Sequence, residues 1–94
     1  MQVRVRLFGD IAEQAGQSSL AVELGDQTDV AALLTALDRV TRRPVSASVL
    51  FDEQTLHPPV AVLVNGSNVL LGKGLATALS EGDQVSMMPL ISGG

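Results

Sequence analysis

A single amphipathic segment limits how this chain can fold. Between Thr28 and Pro44, residues Val30, Leu33, Leu34, Leu37 and Val40 fall at i, i+3, i+4, i+7 and i+10. That spacing draws one apolar stripe along a helix of about three and a half turns. Thr28 stands where an N-cap is needed, and Asp29 sets negative charge at the positive end of the helix dipole. Arg42 and Arg43 lie where cations are favoured, and Pro44 prevents continuation. A helix with one apolar stripe must bury it against another element, so the rest of the chain has to supply a matching apolar surface.

The flanking segments read as strands. Val3, Val5 and Leu7 alternate with Gln2, Arg4 and Arg6, and Leu20, Val22 and Leu24 alternate with Ser19, Ala21 and Glu23. A period of two with β-branched residues marks half-buried strands. Asp10 to Ala15 offers a short helical turn stopped by Gly16, so the two strands form a hairpin with a wide loop. Val60 to Val64 is a nearly continuous apolar run and reads as an interior strand. Asn65-Gly66 tolerates positive φ at both positions and signals a hairpin turn, with residues 68–71 returning as a short strand. After Gly72-Lys73-Gly74, Leu75 to Leu79 reads as a short turn. Glu81-Gly82-Asp83 makes another, and Gln84 to Met88 forms the last strand. Residues 45–59 carry Val45, Val49, Leu50, Phe51 and Leu56 without a clean period and are compatible with a short helix or a strand. Runs of strands around one helix belong to the α+β class. Propensity does not fix strand order, but a hairpin, a crossover helix and a return strand fit the right-handed crossover rule with the first and last strands as parallel neighbours. That topology is a β-grasp, a mixed sheet of four to five strands covered by one main helix.

Ninety-four residues make one domain, spanning 1–94, with a flexible tail expected over about 89–94. Side-chain chemistry is sparse. The absence of cysteine excludes disulfides, thiolate metal sites and thiol catalysis, and the single His57 cannot assemble a multi-imidazole zinc site. Six basic against ten acidic side chains, with no Tyr or Trp, argue against nucleic-acid binding. No apolar run approaches the ~18 residues of a membrane span, and the N-terminal segment is not a signal peptide. A cytoplasmic domain, not itself an enzyme, is the expectation. Its net charge of −4 would complement a basic partner surface.

The remaining feature is the end of the sequence, Pro89-Leu90-Ile91-Ser92-Gly93-Gly94. A terminal glycine pair arises by chance in roughly 1% of chains with this composition. A frayed end or an appended linker would also produce it. A carboxylate that must enter a partner's narrow active site gives a chemical reason for it, because only glycine allows close backbone approach at any φ. Adenylation would turn the carboxylate oxygen into part of a leaving group and open the carbonyl to a sulfur or nitrogen nucleophile. Pro89 would limit the entropy lost on docking, and Leu90 and Ile91 would provide apolar anchors.

Several stretches together resemble the MoaD/ThiS family of ubiquitin-like sulfur carrier proteins. They are Val3-Arg4-Val5-Arg6-Leu7-Phe8-Gly9, Ala15-Gly16, Val60-Ala61-Val62-Leu63-Val64-Asn65-Gly66, and the block from Gly72 to Gly94 with its Gly82-Asp83 turn and Gly93-Gly94 end. The resemblance implies a β-grasp fold and a carrier role. Gly94 would be adenylated by a ubiquitin-activating-type enzyme using ATP and magnesium, and then converted to a thiocarboxylate that donates sulfur. The molybdopterin branch usually has two prolines before the tail, whereas here Pro89 precedes Leu90. Residues 45–59 and the run from Gly74 to Leu79 look closer to the cysteine-biosynthesis carriers of the CysO type. The implied acceptor is thus a cysteine synthase-like enzyme, with a metallopeptidase releasing product, or a related sulfur-metabolite pathway. The small subunit of molybdopterin synthase, working with its large subunit, and a protein modifier are the alternatives.

Other polar residues read as structural. Lys73 is the only lysine and sits in a Gly-Lys-Gly turn, His57 precedes Pro58-Pro59, and Asp52-Glu53 and Glu81/Asp83 resemble solvated turns. Of Met87 and Met88, alternation sends one into the core and leaves the other available to a partner.

Overall fold

In a computed structural model, which describes residues 1–50 and 60–89, the alternating N-terminal segment becomes β1 (Gln2–Leu7). Val3, Val5 and Leu7 are buried, and Gln2, Arg4 and Arg6 face out. It is followed by α1 (Gly9–Ala15), β2 (Ser19–Glu23), α2 (Val30–Thr41), α3 (Val45–Val49), β3 (Val60–Val64), β4 (Ser67–Asn68) and β5 (Gln84–Pro89). The sheet order is β2-β1-β5-β3-β4, with β1 and β5 parallel and every other pair antiparallel. This is the expected β-grasp with first and last strands adjacent.

The core lies between the sheet and the helices. Val3, Val5, Leu7, Val22, Val62, Val85 and Met87 from the strands meet Ile11, Val30, Leu33, Leu34, Leu37, Val45 and Val49 from the helices. No polar or charged residue is buried among the described residues. The core is built almost wholly from aliphatic side chains, and cohesion comes from apolar area removed from water. The 65–66 turn and the start of β5 are stitched together by polar contacts at the surface. The Asn65 carboxamide donates to Asp83 at 2.9 Å and accepts from the Gln84 N–H at 2.9 Å. Asn65 and Gly66 both have positive φ, as the turn requires.

Four local expectations are corrected. The N-cap of α2 is Asp29, not Thr28: its carboxylate accepts from the Ala32 N–H at 2.9 Å. The Thr28 carbonyl instead accepts from the Leu79 N–H. Val40 leaves the stripe and is 49% exposed, while Ala36 is buried in its place. Residues 69–71 form a 3₁₀ turn, because the Asn68 side chain accepts from the Leu70 N–H at 2.9 Å and curls the chain after two residues of β4. The turn after Asp10 is a full helix of seven residues beginning at Gly9. In the region without a clear period, Val45 and Val49 are the buried i, i+4 pair of α3. The Asp38 carboxylate accepts from the Ser46 N–H at 2.7 Å and ties α3 to α2.

Leu37→Ala should therefore lower stability by about 2–5 kcal/mol, whereas Val40→Ala should change it by no more than ~0.5 kcal/mol. Urea unfolding of the two variants beside the parent checks both.

Candidate functional site

The chain leaves the sheet at Pro89, the last residue of β5. Because β5 is paired on both sides, the tail base is held from two directions. Pro89 lies opposite Val60 of β3, and Met87 lies opposite Leu7 of β1. The Phe8 N–H extends the second ladder by donating to the Met87 carbonyl at 3.1 Å. Proline has no N–H to offer, which suits the final ladder position.

Gly9 makes room for the proline ring. Its φ is +58°, and a Cβ built there would stand 2.8 Å from Pro89 Cγ and 3.3 Å from Cδ. Steric space and backbone conformation both select glycine at this position. The start of α1 therefore sits directly on the tail base from the core side.

Among the described residues, nothing covers the other face of the sheet between β2 and β5. Arg4, Arg6, Ser19, Ala21 and Gln84 are exposed there, and Ser86 and Met88 are half-buried. Phe8 is 37% exposed, and the Arg6 guanidinium lies 5.5 Å from its ring centroid. At a solvent-exposed site this cation–π contact contributes about 0.5–1 kcal/mol. It also shows that Phe8 continues the outward alternation of β1. A groove on this face is lined by Arg4, Arg6, Phe8, Ser18, Ser19 and Gln84.

Of the tail residues singled out from sequence, Pro89 is not part of a tail beginning at about 89: it is the last residue of β5, paired with Val60, because the β3 ladder runs one residue beyond Met88. Leu90, Ile91, Ser92, Gly93 and Gly94 lie outside the described residues, as do Asp52, Glu53 and His57. Met87 is buried in the core, and Met88 is half-buried on the opposite side of β5. Glu81 and Asp83 are structural: Glu81 accepts from the Gln2 N–H at 2.9 Å, and Asp83 accepts from the Ser80 N–H at 2.8 Å. Lys73 is exposed, next to the second of two 3₁₀ turns. Arg6, Phe8 and Gly9 surround the tail base but were not picked out as site residues from sequence. The available signal was the period of two running on through Phe8, followed at once by glycine. Among the described residues no group of His, Asp and Glu could hold a metal ion, and no helix is long and apolar enough to cross a membrane.

Comparison with known proteins shows the family and supports the fold. The ThiS family matches residues 5–94. Small archaeal modifier protein 3 of Haloferax volcanii is 34% identical over 94 residues, covering 100% of both chains. Sulfur carrier protein CysO of Mycobacterium tuberculosis is 44% identical over 39 residues, 42% of each chain. The crystal structure of SAMP1 from Haloferax volcanii superposes with a TM-score of 0.82 at 29% identity, covering 100% of each chain.

Gly9→Ala should destabilise the fold by at least about 1 kcal/mol, because alanine must adopt left-handed backbone and also displace Pro89. Backbone chemical shifts of Phe8, Met87 and Met88 should move in the same variant, while those of α2 stay in place.

Proposed function

The chain belongs to the ThiS family of ubiquitin-like sulfur carriers and modifiers, and from that premise we propose that its C-terminal Gly94 is the reactive group. The Gly94 carboxylate attacks the α-phosphorus of ATP in a partner adenylating enzyme, releasing pyrophosphate and leaving an acyl adenylate. Hydrosulfide, or a donor that delivers sulfur at that oxidation level, then attacks the carbonyl carbon, the C–O bond to AMP breaks, and a C-terminal thiocarboxylate remains. Magnesium and ATP belong to the partner, and the chain itself is a co-substrate.

The observation that carries this reading is the seating of Pro89. A strand paired on both sides ends there, braced by Gly9 and Val60, and five residues follow it in sequence. A rigid base with a short apolar and glycine extension suits delivery of one carboxylate into a channel, because little of the domain must be ordered on docking. The total lack of cysteine is consistent with sulfur carried on the backbone terminus.

The similarity to CysO favours a thiocarboxylate that serves cysteine or another sulfur-containing metabolite, with a cysteine synthase-like acceptor. The full-length similarity to an archaeal modifier favours a second reading. In it the same adenylate is captured by a lysine amine of a target protein.

Both readings require adenylation at Gly94. Pyrophosphate exchange into ATP, catalysed by a ubiquitin-activating-type enzyme, should depend on the chain. It should disappear on deletion of Gly93-Gly94, and it should fall by about tenfold or more for Gly94→Val, whose side chain blocks close backbone approach. Exchange that persists without the two glycines would exclude both readings.

A further inference from the structure

We propose that β2, the outer strand of the sheet, takes up an extended segment of another protein as a further strand. Apolar residues of that segment would seat against α2, and carboxylates at one of its ends would meet Arg39. The site does not depend on Gly94: β1 separates β2 from the strand that bears the tail.

The hydrogen-bond phase of the β1–β2 ladder decides which backbone groups of β2 are free. Met1 and Leu24 exchange both of their bonds, at 2.7 Å each, with the terminal amine as one donor. In an antiparallel pair such doubly bonded residues alternate with unbonded ones. Along the register, Val22 and Leu20 therefore turn their backbone toward β1, and Ser19, Ala21 and Glu23 turn theirs away. The Leu7 N–H donating to the Ser18 carbonyl at the far end of the ladder fits the same phase. Among the described residues no other segment bonds to these outward N–H and C=O groups. Edge strands are commonly shielded by Lys, by Pro or by a bulge. β2 reads Ser-Leu-Ala-Val-Glu and pairs in unbroken register, so it has none of these. At the other edge of the sheet, β4 is only two residues long. A regular, unshielded edge such as β2 can template one more strand.

The surroundings of the edge specify what the added strand carries. Leu20 and Leu24, on the core side of β2, are only half-buried. A groove beside them, between the end of β2 and α2, is lined by Leu24, Thr28, Ala32, Ala36 and Arg39. Ala32 and Ala36 lie one turn apart on the same helix face, and their small side chains leave room for the larger ones of a neighbouring strand. Strand side chains alternate, so every second residue of the incoming segment would enter this groove. Charge sets its direction. Near the N-terminal end of β2, the Arg43 guanidinium lies over Gly16, with Nε 3.2 Å from where a Cβ would stand. At the C-terminal end, Glu23 and Asp26 are exposed. Antiparallel addition is the stronger pairing. It would bring acidic residues in the C-terminal half of the segment to Arg39 and Arg43, where charge-assisted hydrogen bonds can form. The reversed charge pattern would meet like charge at both ends.

The test adds synthetic peptides of about eight residues, long enough to span β2, to the full chain and follows its amides by NMR and hydrogen exchange. One peptide carries lysines at its N-terminal end, alternating valines in the middle and glutamates at its C-terminal end; the second has the charged ends exchanged. The first peptide should slow exchange of the Ser19, Ala21 and Glu23 N–H groups by about tenfold or more, while Val85 and Met87 stay as they were. The second should bind about tenfold more weakly. Ala21→Pro removes an outward N–H and leaves the β1 ladder intact, so it should weaken the first peptide by about tenfold or more, with a urea midpoint that shows the variant folded. Arg39→Gln, at an exposed position of α2, should reduce the preference between the two peptides to about threefold or less. No protection of the edge amides at about 1 mM of the first peptide would overturn the proposal. Equal or tighter binding of the second peptide, or binding that neither variant alters, would do the same. Protection of these amides that rises with protein concentration in the absence of peptide would assign the edge to a second copy of the chain and overturn it too.

Discussion

The parallel pairing of β1 with β5 is the constraint on which the rest of the structure depends. Residues 4–7 lie beside 84–87, so the first and last strands occupy the middle of the sheet although most of the chain separates them. A parallel pair cannot be closed by a tight turn, and the connection has to cross over one face. The α2 helix belongs to that crossover, and its apolar stripe is buried against the strand residues that the pairing brings together. The same pairing places the C-terminal end of β1 beside the C-terminal end of β5. Phe8 and Gly9 thereby become the support for Pro89. Fold and tail base are thus consequences of one ladder.

The outward side of the sheet is exposed along β1 and β2 and at the start of β5, while Ala61 of β3 is buried on that side. In a chain this short the helices can cover only one face, and the aliphatic core is concentrated there. The outward residues of β1 and β5 escape the packing demand and are free to carry interaction chemistry. On the proposed reading, a rigid tail base presents this chain's own terminus and another protein supplies its activation. Neither role needs a catalytic side chain on this chain.

Much of the scaffold was legible in sequence because periodicity reports burial directly. The alternation of Val3, Val5 and Leu7, the stripe from Val30 to Leu37, and the two positive φ values demanded by Asn65-Gly66 all recur in the structure. The errors arose where two local solutions are nearly equivalent. Thr28 and Asp29 are both good caps, and tertiary pairing decides between them: Asp29 is extended and bridged to Ala78, with the Thr28 carbonyl bonded to Leu79, so the helix begins at Val30 and Asp29 is left to cap it. Val69 to Leu71 is apolar enough for a strand, yet one Asn68 side chain turns it into a 3₁₀ turn. Val40 continues the helical spacing beyond the surface that the sheet and α3 cover, which spacing alone cannot report. At the candidate site, Pro89 read as the start of the tail although it closes the β5 ladder, Arg4 and Arg6 read as ordinary outward strand residues, and Phe8 was given no face. Which residues border the tail base depends on which end of the sheet meets the tail, a property of topology and not of any local pattern.

The central claim is that the backbone terminus at Gly94 carries the chemistry. Intact-mass spectrometry of the protein isolated from its native source tests it most directly. Replacement of one terminal oxygen by sulfur should leave a population about 16 Da heavier, with the added mass confined to the C-terminal fragment. A terminus that remains an ordinary carboxylate under sulfur-replete conditions, with no heavier species and no conjugate through Gly94, would contradict the account.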